Sequence, residues 1–194
     1  LINYVVTVMA IDRVGIIRDV SRALSNSGGN ITNVSQTVMR GYFTLIFSVQ
    51  MPDDTPQLAI RQAVERSGDV GEFEVNVRPF VETHAPANTE CERYMLSITG
   101  NDKPGVIAEA ADVLASHGTN IDDLYAYVTH ERFLMLAHVS VPIGTDVESV
   151  QTSLEEMGKD MGFLVHFQHE NIFRATSDVA PVNQLDSSAR QVSK

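Results

Sequence analysis

The sequence predicts an α+β fold built twice over, and three observations predict it. Residues 4–77 align with residues 94–167 without a gap, at a fixed offset of 90 positions. Within each copy the apolar residues alternate at strand spacing and helical spacing, in the order strand, helix, strand, strand, helix, strand. Glycine- and proline-bearing breaks separate these runs.

The repeat comes first, because a fixed internal period decides the domain count. Identical pairs run through both copies, among them Tyr4/Tyr94, Asp12/Asp102, Gly15/Gly105, Leu24/Leu114, Asn30/Asn120, Phe43/Phe133, Val49/Val139 and Phe73/Phe163. Two homologous domains are therefore expected at 1–79 and 93–171, with a proline-bearing linker at 80–92 and a polar tail at 172–194.

Taken in order, Tyr4 to Ala10 is short and β-branched, which marks a strand. After Gly15, residues Ile16, Ile17, Val20, Ala23 and Leu24 make one helical stripe, and Ser27-Gly28-Gly29 stops it. Ile31 to Met39 is a second strand, closed by a hairpin turn at Arg40-Gly41. In the third strand Phe43, Leu45, Phe47, Val49 and Met51 share one face. Leu58, Ala59, Ala63 and Val64 mark a second helix, and Phe73, Val75 and Val77 a fourth strand. This βαββαβ order is the ferredoxin-like motif, with an antiparallel four-stranded sheet. Two helices cover one face of such a sheet, and strand parity puts Leu134, Leu136 and Leu164 on the other. An uncovered apolar strip seeks a partner, so the copies are expected to pack together and the chain to form a homodimer.

Composition narrows the function. The 194 residues are 43% hydrophobic and carry a net charge of −11. Residues 1–78 hold seven Lys/Arg against eight Asp/Glu, whereas residues 93–170 hold four against twelve. Nucleic-acid binding draws on a basic face, so direct nucleic-acid contact is not expected and a protein partner is. No run is apolar for the roughly 18 residues a membrane helix needs. Cys91 is the only cysteine, which suits a reducing, cytoplasmic setting. The chain opens on Leu1 rather than Met, which leaves room for sequence upstream.

The chemistry concentrates at Asp12-Arg13-Val14-Gly15-Ile16-Ile17 and its echo Asp102-Lys103-Pro104-Gly105-Val106-Ile107. Each loop opens a helix, whose first N–H groups lack intrahelical partners and favour an anion. Gly15 and Gly105 let a ligand approach the backbone. Asp12 and Asp102 offer a carboxylate to an ammonium group, and Asn30-Ile31 and Asn120-Ile121, placed beside the helix start, complete a site for an α-amino acid. The same residues also suit a plain structural role, with Asp12 bracing the helix, Gly15 serving the turn and Asn30 bonding its own loop.

The pattern Asp12-x-x-Gly15-Ile16-Ile17 followed by Ser27-Gly28-Gly29-Asn30-Ile31 resembles the ACT domain. So does Asp102-x-Pro104-Gly105-Val106-Ile107 followed by His117-Gly118-Thr119-Asn120-Ile121. The resemblance implies a regulatory module of amino-acid metabolism that binds amino acids between paired domains. It places ligand contacts at Asp12, Gly15, Ile16, Asn30 and Ile31, and at Asp102, Gly105, Val106, Asn120 and Ile121. Two such domains resemble the glycine cleavage system transcriptional repressor group, which implies control through a protein partner. Val14 stands where proline is common, so the first loop is expected to be less rigid than the second.

Catalytic, metal and cofactor readings fare worse. The six histidines, His84, His117, His130, His138, His166 and His169, form no ligand motif, and no Cys-x-x-Cys or His-Glu-x-x-His is present. Asp122-Asp123 reads as a solvated pair facing opposite sides of a strand. No nucleophile elbow, P-loop or dinucleotide fingerprint occurs. A non-catalytic protein without metal or cofactor is expected. The alternatives are a regulatory fragment of an enzyme such as a phosphoserine phosphatase, or a dimerisation module without ligand.

Overall fold

The structure, a computed structural model, describes residues 1–81 and 90–176. The expected linker falls mostly outside the described residues, and so does the tail beyond Thr176. The chain divides into two units. The first is β1 (Ile2–Ile11), α1 (Ile16–Asn26), β2 (Asn30–Met39), β3 (Tyr42–Met51), α2 (Gln57–Glu65) and β4 (Glu74–Pro79). The second is β5 (Cys91–Asn101), α3 (Val106–Ser116), β6 (Asn120–Thr129), β7 (Arg132–Pro142), α4 (Val147–Met161) and β8 (Phe163–His169), followed by α5 (Glu170–Thr176).

Each unit is the βαββαβ sheet that the sequence predicts. Strand order is β2-β3-β1-β4 in one and β6-β7-β5-β8 in the other, with every neighbour antiparallel. The helices cover one face. In the first unit Val6, Val8, Leu24, Phe47, Ile60 and Val64 are buried there, and in the second Leu96, Ile98, Leu114, Met135 and Leu154. Each such side chain contributes about 1.5–3 kcal/mol by leaving water.

Several local expectations change. The second helix buries Ile60 and Val64, while Leu58 and Ala59 face solvent. Ile60 and Val64 stand four residues apart, on one face of α2, and that face is the buried one. Although the repeat has no gap, α2 ends at Glu65 and α4 runs on to Met161. Ser67-Gly68 and Gly71, with φ 76°, turn the first copy early, whereas Gly158 lies within α4, where a side chain would overlap Val165. In β2 and β6 a β-bulge falls at Thr32 and Asp122. The extra residue inverts the alternation, so Leu124 and Ala126 join Ile121 on the core side. Finally, the tail expected from residue 172 begins as helix α5, which packs on β5 and β8.

One covarying pair carries a stability prediction. A Cβ at Gly29 would lie 3.0 Å from the Leu24 carbonyl oxygen and 3.2 Å from Val49 Cγ2, and would press on Met51. The second unit has the smaller Val141 in place of Met51, and Thr119 takes the position of Gly29. Thr119 is 6% exposed, and its hydroxyl finds no hydrogen-bond partner among the described residues. Thr119→Val keeps the shape and removes the unpaired hydroxyl. It is expected to stabilise the second unit by about 1 kcal/mol, read as a higher urea midpoint.

Candidate amino-acid-binding turns

Both turns are built the same way. Gly15 and Gly105 cap α1 and α3 in the left-handed region, at φ 97° and 93°. That conformation favours glycine, and the first backbone N–H groups of each helix have no intrahelical partners. Neither helix has a side-chain cap at its start, so Asp12 and Asp102 do not brace it as caps. Both carboxylates are exposed and make no side-chain bond among the described residues. Their backbones are pinned instead: Asp12 N–H donates to Gly41 at 2.9 Å and Asp102 N–H to Glu131 at 2.8 Å. Each turn therefore sits against the tip of a hairpin. In the second unit that hairpin and turn border an open cleft of ≈ 470 Å³, lined by Asn101, Asp102, Val128, His130 and Glu131.

The apolar members of the pattern act through the backbone. Ile16 and Val106 are 1% and 3% exposed, so their side chains belong to the core and only their N–H groups can meet a ligand. Ile31 and Ile121 pack against the core as well.

The asparagines lie elsewhere. Asn30 and Asn120 begin β2 and β6 beyond the C-terminal ends of α1 and α3. Each helix has 11 residues, so about 16 Å separates turn from asparagine within one unit. The expectation that Asn30 sits beside the helix start is therefore corrected. A strand parallel to β1 starts at the end of the sheet where α1 finishes. Asn120 is nonetheless oriented: its amide donates to Asp122 at 2.8 Å, and Ser140 hydroxyl donates to the other Asp122 oxygen. The bulge lets Asp122 make both contacts, while Asp123 bonds Tyr125 and raises the phenol's pKa. Asp122 and Asp123 are thus engaged rather than merely solvated. Among the described residues no group of three or more His, Cys, Asp or Glu is placed to hold a metal ion.

An ion cluster beside the first turn escaped the sequence reading. Arg13 donates to both Glu72 oxygens, one at 3.0 Å, and to Asp19 at 2.9 Å. Arg18 donates to the other Asp19 oxygen at 2.9 Å, and Asp69 N–H adds a bond to Glu72 at 2.7 Å. The second copy has Ala108 for Arg18 and Gly162 for Glu72. There Lys103 donates to the carbonyl of Met161 at 2.7 Å. The two copies also differ in charge elsewhere, as at Asp54/Gly144, Arg61/Gln151 and Glu74/Leu164, so these two losses did not stand out in the sequence.

The guanidiniums hold both carboxylates below their usual range: Arg18 and then Arg13 for Asp19, and Arg13 with the Asp69 amide for Glu72. Because the folded values are lowered, the cluster's contribution is whole above about pH 5 and fades as pH falls below about 4. Wild type and Glu72→Gln should differ in urea midpoint at pH 7, and the gap should shrink at pH 3 and in high salt.

Comparison with known proteins agrees with this architecture. ACT-domain profiles match residues 4–59 and 92–168. A UPF0237 protein of Methanococcus maripaludis is 34% identical over 84 residues, which cover 43% of this chain and 93% of that one. A UPF0237 protein of Corynebacterium diphtheriae is 33% identical over 82 residues, covering 42% and 92%. The crystal structure of an unknown protein from Galdieria sulphuraria matches with a TM-score of 0.71 and 25% identity, covering 87% of this chain and 98% of that one. That of a protein provisionally designated a glycine cleavage system transcriptional repressor matches at 0.62 and 16% identity, covering 86% and 96%, which is a likeness of fold. With each repeat matched by an ACT profile, the chain belongs to the ACT-domain family and carries two copies of that domain.

Proposed function

We propose that the chain is a non-catalytic regulatory protein that binds an amino acid at its glycine turns and passes the state of that site to a protein partner. The observation that supports this most is the repeated turn itself. It combines a left-handed glycine, a helix start without a side-chain cap and an exposed aspartate. The helix N–H groups suit the ligand carboxylate and the aspartate suits its ammonium.

The separation of turn and asparagine shapes the reading. Within one ACT unit they cannot hold one small molecule. A second copy of the chain supplies the missing half, so Asp102, Gly105 and Val106 of one chain face Asn120 of the other. This makes the homodimer part of the binding site, and it gives ligand a direct hold on assembly. A glycine-linked role in transcription follows from the same reading, through a partner protein. The acidic second unit favours that route over a phosphate backbone.

Calorimetric titration of the full chain with each standard amino acid, glycine first, tests the proposal. Saturable heat with one or a few amino acids is expected. Absence of binding for all of them would leave a dimerisation module and end the sensor reading.

A further inference from the structure

We infer that the two turns are unequal in use: the first is shut by its own arginines, and the second alone takes ligand, so each chain binds one amino acid. This rests on the reading that the turns bind amino acids, and it adds which turn binds and what closes the other.

The backbones are near copies, at φ 97° and 93°. The space above them is not. A Cβ on Gly15 would lie 2.9 Å from Arg18 Nη2, 3.2 Å from Arg18 Cζ and 3.7 Å from Arg13 Nη1, whereas around Gly105 nothing lies within 4 Å. The space a side chain would take at Gly15 is filled by the Arg18 guanidinium.

That guanidinium is held in place. Arg18 meets Asp19 with two nitrogens, at 2.9 and 2.7 Å. Arg13 bridges Asp19 to Glu72, and Asp69 N–H fixes Glu72 from the far side. The Asp19 and Glu72 side chains are 16% and 15% exposed, and the Arg13 and Arg18 side chains that meet them 36% and 61%. Two cations and two carboxylates close on one another. A ligand carboxylate reaching the start of α1 would find both guanidiniums already neutralised, and it would have to displace Arg18.

The second turn lacks one guanidinium and one carboxylate of that cluster. Ala108 replaces Arg18 and Gly162 replaces Glu72. Lys103 is drawn to the end of α4, where it satisfies the Met161 carbonyl. Pro104 presets the loop, and the ≈ 470 Å³ cleft opens against Asp102. The first unit therefore keeps the turn as architecture, while the second keeps it as a site.

The test is binding stoichiometry together with the amide resonances of Gly15 and Gly105, using the full chain and each standard amino acid in turn. Wild type is expected to bind one molecule per chain, shifting Gly105 and leaving Gly15 in place. Arg18→Ala is expected to raise the count to two and to bring Gly15 into the response. Glu72→Gln, which frees Arg13 by a gentler change, is expected to do the same in part, and circular dichroism verifies the fold of each variant. Two equal sites in wild type would overturn the inference. So would a response confined to Gly15, or an Arg18→Ala variant that binds less, which would make Arg18 a ligand contact. If neither wild type nor Arg18→Ala binds any amino acid, the underlying sensor reading fails and takes this inference with it.

Discussion

Phe47→Ala is expected to lower the stability of the first unit by about 3–5 kcal/mol, the usual cost of emptying a fully packed aromatic position. Phe47 is 2% exposed at the centre of β3. It pairs with Val6 of β1 on one side and Val34 of β2 on the other, under the two helices. The strands around it cannot close the gap without breaking their ladders. Small domains hold about 5–15 kcal/mol in all, so this change leaves the first unit marginal. Hydrogen exchange at the Val6 and Val8 amides would read the loss directly, as protection falling about a hundredfold or more.

Asp102→Ala should show the opposite division of effects. Asp102 is exposed, and only its backbone is tied, to Glu131 at 2.8 Å. Stability should therefore change by less than about 0.5 kcal/mol. Amino-acid binding should weaken by about ten- to a hundredfold, the measure of one charge-assisted hydrogen bond to an ammonium group. Isothermal titration beside a urea melt separates the two quantities. A variant that unfolds early would point to a structural duty for Asp102; one that binds normally would remove it from the site.

The fold was legible because the repeat doubled every signal. Phe43 to Met51 alternates without a fault, and the same positions in β7 are buried as predicted. Legibility ended where one residue altered the count. The bulges at Thr32 and Asp122 are visible only as apolar spacings of three, from Ile31 to Val34 and from Ile121 to Leu124. Placement of Asn30 failed for a different reason: sequence gives the order of elements, whereas the direction of β2 relative to α1 decides which end of the unit Asn30 occupies. The ion cluster at Arg13 joins residues 59 positions apart, a pairing with no local pattern to announce it.

The claim that the site is completed between two chains is tested most directly by mixing two defective variants. Asp102→Ala removes the turn half and Asn120→Ala the asparagine half. Each alone should bind amino acid poorly. After unfolding and refolding as an equal mixture, about half the dimers are hybrids, and each hybrid carries one intact site. Binding capacity should return to about one quarter of wild type at unchanged affinity, as two-fold symmetry requires. No recovery on mixing, or full binding by Asn120→Ala alone, would contradict the account.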